Sequence, residues 1–242
     1  MRALALILSC LAAPALALDC GPVVHEGNRY TICEAAPAKD TLRLYRADPE
    51  GRPYGEFFVL KQALSRDGKA LVFAMNAGMY HADRRPVGHY VEDGSEEMPV
   101  ISTPGPGNFG LLPNGVFCIR AGRADVFETR DYLIRKPQCS HATQSGPMLV
   151  IDGALHPRFL ENSPSRYIRN GVGASLDGGR VVFAISDHPV NFHAFARLFR
   201  DALDLPNALY LDGNVSRLYA RELGRSDLGR PMGPILAIIR DE

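Results

Sequence analysis

Apolar positions along this chain come in short runs, such as "LVFAM", "MLVI", "VVFAI" and "ILAII", and each is closed within two residues by Asn or Asp. Runs of that length bounded by turn residues read as strands with little exposed surface, because an amphipathic helix would space its apolar positions three or four apart. The pattern predicts strands at residues 29–33, 41–46, 70–75, 115–120, 125–128, 148–151, 171–175, 180–186, 208–211 and 235–239, with a further strand at 87–91. Helical spacing is rare. It is clearest after Asn191, a good N-cap, where Phe192, Phe195, Ala196, Phe199 and Leu203 share one face, and a second helix is expected over 56–64. No repeat and no linker divides the chain. The fold class is α+β: a single domain with a mixed β-sheet of many short strands and few helices.

Near the C-terminus, residues 180–186, the helix after Asn191 and residues 208–211 make a strand-helix-strand unit. Such crossovers join parallel strands in a right-handed sense. "ISDHP" and "YLDGN" then leave the same edge of the sheet, where α/β folds commonly place ligands.

The first residues change the picture of where the protein works. Met1-Arg2, an apolar stretch from Ala3 to Leu8 and Ala-Leu-Ala at 15–17 spell a signal peptide over residues 1–17, leaving residues 18–242 as the domain. A lipoprotein anchor fits less well, since Cys10 follows too short an apolar region and Cys20 follows Asp19. No other run approaches the ~20 apolar residues of a bilayer span. Without the signal, Cys20, Cys33, Cys118 and Cys139 remain, an even number suited to an oxidising compartment, and a secreted protein of the bacterial periplasm is expected. Four cysteines allow three pairings. A turn at Glu26-Gly27 would set Cys20 opposite Cys33 and leave Cys118 with Cys139, the preferred arrangement.

Charge and motifs mainly exclude. With 27 basic and 27 acidic residues and no basic cluster, a nucleic-acid or anionic-membrane partner is not expected. "PGPGNFG" holds a literal GxGxxG from Gly105 to Gly110, but Pro113 and a strand follow where a dinucleotide site needs a helix. There is no GxSxG elbow, no CxxC or HExxH and no EF-hand spacing, so neither a metal nor a cofactor is expected. The oligomeric state is left open.

What remains is a set of polar breaks beside apolar runs: Asn76, Ser145-Gly146-Pro147, Arg169-Asn170-Gly171, Ser186-Asp187-His188 and Asp212-Gly213-Asn214. Each alone is ordinary turn chemistry. Five together point to convergence on one pocket.

The series "FAMNAGMY", "RRPVGHYVEDG", "NFGLLPNGVFCI", "ATQSGPMLVIDG", "RYIRNGVGASLDG" and "ALYLDGNVSRLY" resembles the phosphodiester glycosidase family, in family order from about Thr31 onward. The resemblance implies a hydrolase that breaks the glycosidic bond of a sugar-1-phosphate diester, with a sugar-phosphate or glycan as substrate. Asn76-Ala77-Gly78, Pro86 with Gly88, Gln144 to Pro147, Asp152-Gly153, Arg169 and Asp212-Gly213 match family segments. Asn214-Val215-Ser216-Arg217 departs from the glycines and paired serines of many members.

Breaking that bond puts positive charge on the sugar and negative charge on phosphate. Because phosphate leaves readily, a cation and hydrogen-bond donors matter more than a strong acid. The catalytic candidates are Asp212 as the carboxylate facing the sugar or its attacking water, Asp187 as second choice, and Arg169 as a two-pronged phosphate holder. Asn76, Gln144, Ser145, Gly146, His188, Gly213 and Ser216 are the substrate-binding candidates. His81, Arg84 or Arg85 is expected on the rim. A non-catalytic glycan-binding protein on the same fold and a phosphodiesterase that cuts the P–O bond are the rival readings.

Overall fold

The computed structural model describes residues 18–242, and the signal peptide expected at residues 1–17 lies outside them. Three sheets carry the fold. The largest has seven strands in the order β1 (Asp19–His25), β2 (Asn28–Ala35), β13 (Val181–Ser186), β12 (Asn170–Ala174), β14 (Asn207–Tyr210), β10 (Met148–Ile151) and β11 (Ala154–Leu155). The second runs β16 (Arg225–Ser226), β15 (Leu218–Ala220), β4 (Lys69–Asn76), β17 (Ile235–Asp241), β3 (Thr41–Tyr45). The third runs β6 (Ser95–Met98), β5 (Tyr90–Glu92), β9 (His141–Ser145), β7 (Gly115–Arg120), β8 (Arg123–Glu128). Helices α1 (Phe57–Arg66), α2 (Thr129–Arg135) and α3 (Phe192–Arg197) complete the frame, and α3 continues as a π-helical turn over Leu198–Ala202.

The sheets meet on one apolar core. Phe183 of β13 stacks on Phe73 of β4 at 4.8 Å and stands edge-on to Phe117 of β7 at 6.1 Å, so one ring from each sheet closes the centre. Alternate residues of β13 face opposite ways: Val181, Phe183 and Ile185 enter this core, while Val182 and Ala184 pack with Phe195 and Phe199 behind them. Both faces are buried, which is why the strand reads as an unbroken apolar run. In the same way α1 covers β4 and β17 through Phe57, Leu60 and Leu64.

Every ladder among the described residues is antiparallel. The parallel relation expected for β13 and β14 exists across β12, which inserts between them and pairs antiparallel with both. The two strand ends still come together: β13 and β14 both end beside Asn170, the first residue of β12.

Local chemistry explains the remaining agreements and differences. Glu26 and Gly27 both take positive φ and turn the β1–β2 hairpin, whose register sets Cys20 opposite Cys33. The disulfides are Cys20–Cys33 and Cys118–Cys139. Asn191 caps α3 by accepting from the Ala194 N–H at 2.9 Å. The strand expected at 87–91 begins only at Tyr90, because the Gln144 side chain, not a ladder, accepts from the His89 N–H at 3.0 Å. Strand β9 gave no apolar signal, since His141, Thr143, Gln144 and Ser145 are all buried polar residues.

Replacing Cys118 and Cys139 together with serine removes a cross-link over 21 residues and is expected to cost about 3 kcal/mol of unfolding free energy, read by urea titration.

Candidate active site

Strands from all three sheets end at one place. β4 delivers Asn76, β9 delivers Ser145, and β12 and β14 deliver Asn170 and Asp212. The two asparagines are fully buried and face each other: Asn170 Nδ2 donates to Asn76 Oδ1 at 2.9 Å, and Asn76 Nδ2 to Asn170 Oδ1 at 3.3 Å. Each oxygen takes a backbone donor as well. Asn76 Oδ1 accepts from the Arg217 N–H at 2.9 Å, and Asn170 Oδ1 from the Asp212 N–H at 3.1 Å. Ser145 donates to the Leu211 carbonyl at 2.5 Å, so the third sheet is tied to the same turn.

The Asp212 turn is therefore held at both ends. Ser216 Oγ lies 2.8 Å from the Asp212 carbonyl and 3.0 Å from that of Ile168. Val215 packs into the cluster around α1, and the buried Arg217 pairs with Glu56 at 2.6 Å while reaching the Asp227 and Arg230 carbonyls. Val215, Ser216 and Arg217 thus anchor the turn. Asp212 itself is 9% exposed, and one carboxylate oxygen accepts from the Asn214 N–H at 2.9 Å. Burial raises its pKa, against a downward pull from the N–H groups of Asn214, Gly213 and Val215.

Arg169 is also buried, but not as expected. Its Nε donates to the Val190 carbonyl at 2.9 Å and its Nη2 to that of Ser165 at 3.0 Å. Its guanidinium lies 3.5 Å over the Phe192 ring and 5.4 Å from that of Tyr210. Two of its nitrogens are thus engaged on backbone carbonyls of its own surroundings. Its Nη1 is buried without a partner, as is the Tyr210 hydroxyl. Burial depresses the Arg169 pKa.

The other candidates differ in what holds them. Asp187 accepts from Thr31 at 3.0 Å and sits 3.6 Å from Arg225 and 3.7 Å from Arg29, a cluster that joins the β1–β2 hairpin to the segment after β15. The half-buried His188 makes no side-chain hydrogen bond among the described residues. Gln144 spends its amide on His89, Ile101 and Thr129 and works as a staple inside the third sheet. A Cβ at Gly146 would come within 2.7 Å of Asn114, so tight packing alone demands that glycine. One at Gly213 would lie 1.7 Å from the Tyr210 hydroxyl.

The rim candidates separate. The Arg84 guanidinium stacks on Tyr80 at 5.4 Å, and burial raises the Tyr80 phenol, with the Asp212 charge adding to the rise. Arg85 is paired with Asp83 at 2.7 Å. Sequence reasoning missed Tyr80, Tyr210 and Phe192 as members of the site, and placed Asn170 only among the turn breaks. An aromatic two residues before Asp212 was the available signal for Tyr210. A cleft of about 660 Å³ at the opposite end of β12, beside Ala174, Arg123 and Asp125, is lined by arginines and carboxylates that pair with one another.

A family model described as phosphodiester glycosidase matches residues 69–238. The uncharacterized protein YigE of Escherichia coli K12 is 32% identical over 192 residues, which are 79% of this chain and 73% of YigE. Among solved structures, the zebrafish N-acetylglucosamine-1-phosphodiester alpha-N-acetylglucosaminidase catalytic domain, auto-inhibited by its pro-peptide, superposes with a TM-score of 0.63 at 15% identity, covering 94% of this chain and 85% of that one. A hypothetical protein from Synechocystis follows the same fold, with a TM-score of 0.58 at 12% identity over 91% of this chain and 61% of its own. The family model spans most of the chain and the YigE match covers most of both chains, so the chain belongs to the phosphodiester glycosidase family.

Proposed function

We propose that this protein is a secreted, periplasmic hydrolase that cleaves the glycosidic bond of a sugar-1-phosphate diester within a glycan or envelope polymer. The observation that carries the reading is Asp212: a shielded carboxylate, held by backbone N–H groups, at the point where three sheets of a phosphodiester glycosidase fold converge. Water adds to the anomeric carbon, the bond from that carbon to the bridging oxygen breaks with its electron pair going to phosphate, and Asp212 takes the proton from the attacking water. A carboxylate whose pKa is raised by burial is a better base than an exposed one. Asp187, tied to Thr31 and Arg225, is not needed as a second carboxylate because the phosphate leaves without a strong acid. The two disulfides suit an oxidising compartment. Arg84, stacked on Tyr80, supplies positive potential at the rim for an anionic substrate.

Three outcomes are expected. On a panel of sugar-1-phosphate diesters in water labelled with heavy oxygen, the wild type releases sugar carrying the label, and Asp212→Asn loses at least about 10²-fold in turnover while keeping its fold. Label on the phosphate instead identifies a P–O cleaving enzyme, and binding without turnover identifies a glycan-binding protein.

For the rim, Arg84→Ala raises KM several-fold, while Arg85→Ala leaves it nearly unchanged. Equal effects of the two replacements would remove the distinction.

Stability gives a third check. The folded state holds the Asp212 proton more tightly than the unfolded state, so the stabilisation is full below the ordinary carboxylate range and is lost as pH rises through the folded value. At about pH 7 the ionised carboxylate is therefore a net cost, and Asp212→Asn melts higher than the wild type. The advantage disappears toward roughly pH 3, where the wild-type carboxyl is protonated. Thermal unfolding of both proteins across that range reads it.

A further inference from the structure

Tyr210 has no part in the chemistry described so far, yet two buried groups without partners meet at it. Its ring stands edge-on to Phe192 at 4.8 Å, and its hydroxyl oxygen is buried with no hydrogen-bond partner. Arg169 Nη1 is in the same condition. The two are electrostatic neighbours: burial raises the Tyr210 phenol, the guanidinium opposes that rise, and the Asp212 charge adds to it. On its other side the hydroxyl lies against Gly213, where a Cβ would sit 1.7 Å away. Leaving a polar atom buried and unpaired costs about 1–3 kcal/mol. Here the two groups are drawn together beneath the turn that carries the reacting carboxylate, the guanidinium acting on the phenol both as a charge and as a hydrogen-bond donor.

We propose that Tyr210 is a positioning residue for Asp212: Arg169, with its other donors fixed on Val190 and Ser165, holds the Tyr210 hydroxyl against Gly213, and that contact sets the turn that presents the Asp212 carboxylate. The inference rests on Asp212 being the reacting carboxylate. It gives Arg169 a role consistent with its burial, since the guanidinium acts through the phenol and not by gripping the substrate. The backbone N–H groups that hold the carboxylate come from Gly213, Asn214 and Val215, so a displacement at Gly213 moves all of them together. Tyr80 and Tyr210 are the titratable groups that feel the Asp212 charge, and Arg169 feels Tyr210 and Tyr167.

Tyr210→Phe tests this with little risk to folding, because the ring that packs on Phe192 is kept and only the hydroxyl is lost. The disulfide-bonded protein, labelled with ¹³C at aspartate carboxyls, is titrated by NMR, and Asp212→Asn identifies the resonance. The Asp212 midpoint moves upward in Tyr210→Phe, as its backbone donors loosen, and melting temperature does not fall. An unmoved or lowered midpoint overturns the proposal, and this arm needs no substrate. If the wild type releases sugar, kcat falls roughly 10-fold in Tyr210→Phe with KM within about two-fold, and the limb of the pH profile belonging to Asp212 moves the same way. A rise in KM with kcat unchanged, or a several-fold weaker inhibition by inorganic phosphate, would mean that the hydroxyl touches substrate and is not a positioning residue. If the wild type releases no sugar while the NMR midpoint still moves, the glycosidase reading fails and the Tyr210 linkage stands. Arg169→Lys, combined with Tyr210→Phe, gives effects on the midpoint that do not add, since both act on one contact.

Discussion

The site depends on a pair of amides. Asn76 and Asn170 come from different sheets, lie fully buried, and satisfy each other before anything else can use them. What is left of their oxygens fixes the backbone at Arg217 and at Asp212, the two ends of one turn. A buried amide with an unmet donor or acceptor costs about 1–3 kcal/mol, so neither asparagine can move without stranding the other. The turn thereby inherits the rigidity of two sheets. No apolar contact would do the same, because apolar packing has no preferred direction and would let the turn slide.

Around that joint, the protein places charges where burial makes them expensive. Asp212 and Arg169 are both shielded, yet each leans on backbone groups: the carboxylate on N–H donors of its own turn, the guanidinium on the carbonyls of Val190 and Ser165. Backbone partners move less than side chains, so the charges stay where they are put. The aromatic rings of Phe192 and Tyr210 exclude water and offer their faces and edges to the guanidinium, which softens the cost of burying it. Such an arrangement trades stability for a preorganised electrostatic environment. In the cleft near Ala174, by contrast, arginines and carboxylates pair with one another instead of with backbone groups.

Local features were legible from the chain itself wherever the deciding forces are local. Asn191 announces its helix because an asparagine side chain caps the N–H three residues on. Glu26-Gly27 announces a hairpin because a tight turn needs positive φ, and the hairpin in turn fixes which cysteine faces which. β13 and β4 announce themselves because strands buried on both faces carry no polar alternation. β9 did not, since its buried polar residues find their partners in loops and a helix elsewhere in the chain. The same limit hid the role of Gln144, whose motif pointed outward to a ligand while its amide points inward to Thr129 and Ile101.

By itself, the sequence determined most of the short strands, the caps and turns, a preferred cysteine pairing and the segments that mark the family. Each of these is decided within a few residues or by the register of one hairpin. Only the tertiary structure decided that Asn76 meets Asn170, that Asp187 is drawn off to Thr31 and Arg225, and that Arg169 spends its fork on carbonyls while Tyr210 lies beneath Gly213. The physical reason is that hydrogen-bond partnership and desolvation depend on what surrounds a group in space. Asn76 and Asn170, 94 residues apart in the chain, carry no local sign of their meeting.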